Sequence, residues 1–297
     1  MENNFEYDVA FNRNIGVVSE SEQEMIKNTK ISLAGVGGIG GSTMLALVRM
    51  GFQNFKIADL DDFDQANSNR QAGATLDAYN RAKVDVMKEL AQKINPNCNV
   101  EVFKEGVQEH NVDSFLNDSD VVLDCIDFFC LTARTLLHKH SRLKKLNCFL
   151  AAPMGFSGAV IGFGPNGPSF EKYFNIKHGE DKFTRLLKFA VGLAPRSLHS
   201  SYVDFSVERI ARMKTGPSIA SAVHLGVSLI TTEVLMTIIE KRKPLLVPRT
   251  LQYDPYRMKL AKCNPWFGNK SILQRIKIYF ALKKYGSERQ TFEKFIK

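Results

Sequence analysis

Lys30-Ile31-Ser32-Leu33-Ala34-Gly35-Val36-Gly37-Gly38-Ile39-Gly40-Gly41 opens the stretch that decides the fold. The apolar run Ile31 to Ala34 reads as a buried strand and passes at once into a glycine cluster. Met44, Leu45, Leu47 and Val48 then recur at roughly the 3.6-residue helical period, and Gly51 stops the pattern. A second apolar run, Phe55 to Ala58, ends on Asp59. Strand, glycine turn, helix, strand, carboxylate is the order of a mononucleotide-binding βαβ unit.

Each part has a physical task. Gly35, Gly37 and Gly40 fit the spacing G-x-G-x-x-G, with Gly38 and Gly41 as further glycines. Glycine permits the tight turn and lets a phosphate approach the backbone. The free N–H groups at the start of the next helix favour an anion. Asp59 stands about 20 residues past the loop, where a carboxylate accepts from ribose hydroxyls. The pattern specifies a nucleotide and does not by itself choose between NAD, FAD and ATP.

The continuation makes that choice: Asp59-Leu60-Asp61-Asp62-Phe63-Asp64-Gln65-Ala66-Asn67-Ser68-Asn69-Arg70-Gln71. Asn67 and Arg70 share one face of a helical turn. A redox dinucleotide fold has no need of that pair. An arginine beside the phosphate loop can clamp polyphosphate through two hydrogen bonds, and Lys83 supplies a second cation.

On these residues the chain resembles the ubiquitin-activating-like adenylyltransferases of the ThiF/MoeB/HesA group. The family's GxGGxG loop corresponds to Gly35 to Gly40 and its D-x-D to Asp59 and Asp61. Its N-x-x-R-Q corresponds to Asn67 with Arg70-Gln71, and its lysine to Lys83. Its D-x-x-D corresponds to Asp124-Cys125-Ile126-Asp127. Spacings match without gaps from Gly35 to Gln71. Ala66 departs from the usual Ser or Thr, and Phe128 stands where Asn often follows the second Asp. The likeness is specific to about residue 165 and looser beyond it.

The resemblance implies ATP bound with Mg²⁺, the phosphates at Gly38 and its neighbours and the ribose at Asp59. Arg70 and Lys83 would neutralise charge, and Asp127 would hold Mg²⁺. It also implies a homodimer in which Arg13 reaches the partner's phosphates; from the residues alone Arg13 reads as a solvated arginine. Asp124 is open between a site group and a turn carboxylate. The implied reaction is adenylation of a carboxylate, at the C-terminus of a peptide or of a ubiquitin-like or sulfur-carrier protein, releasing pyrophosphate. A tRNA-modifying, ATP-dependent cyclodehydratase of the same family is the alternative. The Asn67, Arg70 and Lys83 set opposes an NAD-dependent redox protein, and the retained Arg13, Arg70, Lys83 and Asp127 oppose an inactive partner subunit.

Composition is that of an ordinary globular chain: 297 residues, 44% hydrophobic, 24% charged. Five cysteines form no CxxC pair, which points to a reduced, cytoplasmic setting and no structural zinc. Residues 164–216, the crossover segment in relatives, contain no cysteine, which excludes a thioester there. Cys263 is the one candidate nucleophile, while Cys125 and Cys148 read as buried. The segment Met1 to Ala10 is acidic and polar, unlike a signal peptide. Pro217 to Ile239 reads as a buried helix and not a membrane span.

The expected class is α/β, a Rossmann-like doubly wound sheet, mostly parallel with antiparallel strands after the crossover. The pattern predicts helices over 78–94, 132–143, 181–190 and 218–240, a short helix from 112, and strands over 99–103, 121–123 and 148–152. A glycine-rich hairpin follows through 163, and 251–253 is expected to be the last strand. Residues 1–260 then form one domain, with 1–30 as an arm and helix. A basic amphipathic tail covers 261–297. Residues 262–297 carry +7 of the net +9. An anionic membrane surface, another partner, RNA, or a face of its own body could receive the tail.

Overall fold

The structure is a computed structural model that describes residues 5–206, 216–265 and 267–294. Part of the expected crossover, 207–215, lies outside the described residues.

The two apolar runs that flank the glycine loop become β1 (Lys30–Ala34) and β2 (Asn54–Ala58), paired in parallel. β3 (Asn99–Phe103) extends the sheet beyond β2; β4 (Val121–Asp124) lies on the other side of β1, followed by β5 (Asn147–Met154). The order β3-β2-β1-β4-β5 reverses direction between β1 and β4. Open α/β sheets bind ligands at such a switch point, outside the carboxyl ends of the strands.

β6 (Ser157–Phe163), β7 (Thr250–Asp254) and β8 (Lys259–Cys263) continue the sheet in antiparallel fashion. β6 is the second strand of the hairpin expected through 163. Two features depart from expectation. β8 exists where β7 was expected to be the last strand: Lys259-Leu260-Ala261-Lys262-Cys263 is too basic and short to read as a strand, and as an edge strand it needs only one partner. The boundary expected at residue 260 falls inside β8.

Helices α1 (Tyr7–Phe11) and α2 (Glu20–Asn28) form the N-terminal arm. Ser19 and Glu22 close a reciprocal capping box on α2. α3 (Gly38–Arg49) rises from the glycine loop, and α4 (Lys83–Ile94) packs beside it. The helix expected from 78 therefore begins five residues late. The backbone of Tyr79 to Ala82 is instead paired with Asp62 and Phe63, with Asn80 in a left-handed conformation (φ 62°). On the opposite face lie α5 (Val112–Leu116) and α6 (Leu131–Leu143).

After β6 come α7 (Phe170–Phe174), α8 (Lys182–Leu193) and α9 (Ala220–Ile239). α9 is long and apolar enough to cross a membrane. Here Val223, Val227, Ile230 and Val234 are buried, and the helix packs on α3, β5 and β6. Its buried Glu233 accepts from Arg242 and from the Leu245 N–H at 2.6 Å. α10 (Ile272–Tyr285) and α11 (Arg289–Glu293) end the described chain and dock on α8.

Candidate active site

Two glycines of the loop are required by the fold. Gly35 has φ +88°, and a Cβ there would stand 2.3 Å from the Cys125 carbonyl oxygen. A Cβ at Gly40 would stand 1.7 Å from the Gly35 oxygen. Gly37 and Gly38 differ: a Cβ would meet nothing closer than the Gln71 side chain at 3.5 Å and Arg70 Cγ at 3.7 Å. No side chain caps α3, so its first N–H groups face an open backbone surface beside Arg70 and Gln71. That is a cradle for an anion.

The end of β2 supplies the carboxylates. Asp59 accepts from the Val36 N–H at 2.8 Å and from the Asp61 N–H at 3.0 Å. Burial raises the Asp59 pKa, opposed by the Lys83 charge and by these two N–H donors. Lys83, the first residue of α4, is buried and pairs with Asp61 at 3.1 Å. Its ammonium also lies 5.9 Å from the centre of the Phe63 ring.

Arg70 and Gln71 follow a tight turn. Asn67 is buried and accepts from the Asp64 N–H at 3.2 Å; its own carbonyl receives the N–H groups of Arg70 and Gln71. Asn67 thus shapes the turn. The Arg70 guanidinium is steadied by the Ala66 carbonyl at 3.0 Å and Asn69 Oδ1 at 2.8 Å. Burial lowers its pKa, while nearby Asp127 and Asp64 oppose that shift. Arg70 and Asp127, 57 positions apart, are therefore electrostatic neighbours at the switch point. Gln71 is buried with an Oε1 that has no protein partner among the described residues.

Asp124 and Asp127 separate in role. Asp124, fully enclosed, binds Arg134 at 2.7 Å and His138 at 2.9 Å. Burial would raise its pKa, but Arg134 and His138 outweigh it and the carboxyl lies below its ordinary value. Asp124 is an internal anchor. Asp127 is exposed and caps the next turn through the Phe129 N–H at 2.9 Å. Arg134 also donates to the carbonyls of Ile126 and Asp127, so it holds the Asp127 loop. Sequence reading missed Arg134, which sits on α6 without a recognisable spacing to Asp124. It also missed Asn69, whose amide donates to the Ser218 carbonyl at 3.0 Å and ties the arginine turn to the approach of α9.

Two candidate residues lie outside this cluster in their own chain. Arg13 is exposed, and its neighbour Asn14 donates to the Met50 carbonyl at 3.0 Å, at the far end of α3. α3 has 12 residues, which separates that end from the glycine loop by roughly 18 Å. Cys263 lies on β8, five strand positions from β1, or about 24 Å across the sheet. It is therefore not part of the switch-point cluster of its own chain. Cys125 and Cys148 are raised above the usual thiol range by burial.

The profile of the ThiF family matches residues 11–271, which includes every group described above. The chain belongs to the ThiF family. Among similar ThiF relatives, a tRNA threonylcarbamoyladenosine dehydratase of Bacillus subtilis is 36% identical over 121 residues, 40% of this chain and 48% of that protein. A probable molybdopterin-synthase adenylyltransferase of Gracilaria tenuistipitata is 31% identical over 146 residues, 49% of this chain and 39% of that protein. The matches thus span less than half the length of these relatives. Among solved ThiF-type folds, PaaA superposes with a TM-score of 0.64 at 18% identity, covering 89% of this chain and 77% of that one. E. coli MccB with ATP superposes with a TM-score of 0.61 at 18% identity, covering 83% and 66%.

Proposed function

We propose that this chain activates a carboxylate with ATP, forming an acyl-adenylate and releasing pyrophosphate. The observation that carries this reading is one cluster: the open backbone of Gly37 and Gly38, flanked by Arg70, Lys83 and Asp127 at the switch point. Two fixed cations beside an anion cradle suit a polyphosphate. The unpartnered Gln71 Oε1 beside Gly37 is a ready acceptor for a ligand hydroxyl or amine. The names of relatives support the same chemistry, as molybdopterin-synthase adenylyltransferases and as an MccB solved with ATP.

In this reading the α3 N-terminus and Arg70 receive the phosphates, and Asp59 accepts from the ribose. Asp127, an exposed hard oxygen donor, would hold Mg²⁺, which neutralises phosphate charge when bound. A substrate carboxylate oxygen bonds to the α-phosphorus as the bond to the bridging oxygen breaks and pyrophosphate departs. Negative charge gathers on the oxygens around that phosphorus and on the departing pyrophosphate, so fixed cations and dipoles do most of the work. No protein nucleophile is needed, in keeping with Cys263 lying far away. We assign the substrate as the C-terminus of a peptide or small carrier protein, the kind of partner seen in MccB solved with MccA. Two copies would form a homodimer in which Arg13 serves the partner's site. Five cysteines that form no CxxC pair fit the reducing, cytoplasmic setting we assign to it.

A second reading rests on the 36% identity to the Bacillus subtilis dehydratase: the activated carboxylate is carried on a tRNA base. Salt-sensitive tRNA binding separates the two.

Thermal shift with Mg·ATP against NAD tests the site, since a ligand that binds only the folded state raises Tm. A rise with ATP, lost in Arg70→Ala at unchanged basal Tm, is the expected result. A rise with NAD alone would overturn the adenylation reading.

A further inference from the structure

α10 has two apolar faces, and the fold uses only one. On the inner face Ile278 is buried and Leu282 and Tyr285 pack against the Phe183 and Phe189 cluster of α8. Gln274 donates to the Pro195 carbonyl at 3.2 Å, and Lys277 donates to the same oxygen. Beyond the helix, the Phe292 ring packs tilted against Phe183 with centroids 5.6 Å apart, and Arg289 pairs with Asp181 at 3.3 Å. The helix is therefore fixed to the body, and its outer face is not needed for docking.

That outer face carries Ile272, Leu273, Ile276, Tyr279 and Phe280, each between 48% and 74% exposed. At about 100° per residue these five side chains fill an arc of roughly 120°. Arg275 borders the arc on one side and Lys284 on the other, with Lys283 at its C-terminal end. Ile272 to Tyr285 contains no Asp or Glu. The tail's ion pairs among the described residues belong to Arg289. Arg275, Lys283 and Lys284 are exposed and meet no carboxylate among those residues, though the Lys284 ammonium lies 5.1 Å from the centre of the Tyr285 ring.

We propose that this face of α10 seats the chain on an anionic lipid bilayer. Three exposed cations that meet no carboxylate among the described residues call for an anionic partner, and a contiguous ridge of Ile and Leu calls for hydrocarbon. An anionic bilayer offers both. Nucleic acid offers the anion without the hydrocarbon. A second copy of the face offers the hydrocarbon but, under two-fold symmetry, sets the same cations against each other. The aromatic pair Tyr279 and Phe280 lies beside Lys283 and Lys284, the mixture that interfacial helices place at headgroup level. The residues involved are separate from the candidate active site.

The test is sedimentation of the full chain with vesicles of phosphatidylcholine alone, or with roughly one-third phosphatidylserine. The chain is expected to pellet with the anionic vesicles and stay in solution with the neutral ones. Ile276→Glu with Phe280→Glu should abolish pelleting while leaving Tm and ATP-dependent pyrophosphate exchange unchanged, since both side chains face solvent. Lys283→Gln with Lys284→Gln should lower partitioning roughly 30-fold, about fivefold per cation near a charged surface. Equal recovery with both vesicle types, or none with either, overturns the proposal. So does a dimer that Ile276→Glu dissociates without any lipid binding, which would give the face to a second copy. Salt-sensitive RNA binding lost in Lys283→Gln with Lys284→Gln, again without vesicle binding, would give it to nucleic acid. Pyrophosphate exchange measured without vesicles reads the active site separately, so the two proposals fail independently.

Discussion

The Val36 N–H, inside the glycine loop, donates to the Asp59 carboxylate at 2.8 Å. The phosphate cradle at the end of β1 and the carboxylate at the end of β2 are thereby one unit. Asp59→Ala removes the acceptor for two N–H groups, Val36 and Asp61. Leaving such donors unpaired costs about 1–3 kcal/mol. Denaturant unfolding should report that loss, and ATP affinity should fall by about tenfold or more as the ribose acceptor disappears. Unchanged ATP affinity at reduced stability would leave Asp59 as a brace for the loop only.

Gly38 and Gly40 should respond differently to the same methyl group. Gly40→Ala sets a Cβ 1.7 Å from the Gly35 oxygen, so the loop must move and the chain loses stability. At Gly38 nothing lies closer than 3.7 Å, so the alanine variant should keep its Tm. Its methyl group would occupy the space where a phosphate approaches the backbone. The ATP-induced thermal shift should therefore vanish in Gly38→Ala with basal Tm intact. Retention of that shift would place the phosphates elsewhere.

The sequence makes the first half of the fold readable because its signals are local. The glycine cluster between two apolar runs dictates β1, α3 and β2, and the Asn67 to Gln71 turn follows from its own side chains. Residues whose roles depend on distant partners were hidden. Asp124 reads equally well as a ligand or an anchor until Arg134 and His138 of α6 are seen enclosing it. The spacing of Ala82, Val86, Leu90 and Ile94 suggests a helix that reaches back to 78, yet the backbone of Tyr79 to Ala82 pairs with Asp62 and Phe63. β8 depends on β7 alone and carries no alternation that a basic pentapeptide could reveal.

His199 predicts a loss of stability in mild acid. It is buried beside Gln252, whose amide lies 3.2 Å from Nδ1. Burial pushes its pKa from 6.5 down to about 4, with Asp254 opposing the shift. The folded state thus binds this proton more weakly than the unfolded chain. The stabilisation is complete above pH 6.5 and is lost as pH falls toward 4, about 3 kcal/mol in all. Denaturant unfolding between those limits should show this slope, and His199→Gln should flatten it. An unaltered slope in the variant would remove His199 as its cause.

Arg13 sits at the far end of α3 from its own glycine loop, roughly 18 Å away, so in the proposed function it would serve another copy's site. Arg13→Ala and Arg70→Ala should each abolish pyrophosphate exchange, the first from outside the site and the second from within it. Mixing the two variants after subunit exchange then becomes decisive. In a symmetric dimer, half of the randomly formed pairs are mixed, and each mixed pair holds one site with both arginines intact. About a quarter of wild-type activity should return. If Arg13 acted within its own chain, every site in the mixture would lack one arginine and no activity would return. Full activity in Arg13→Ala alone would return this residue to the solvated arm that its exposure also allows.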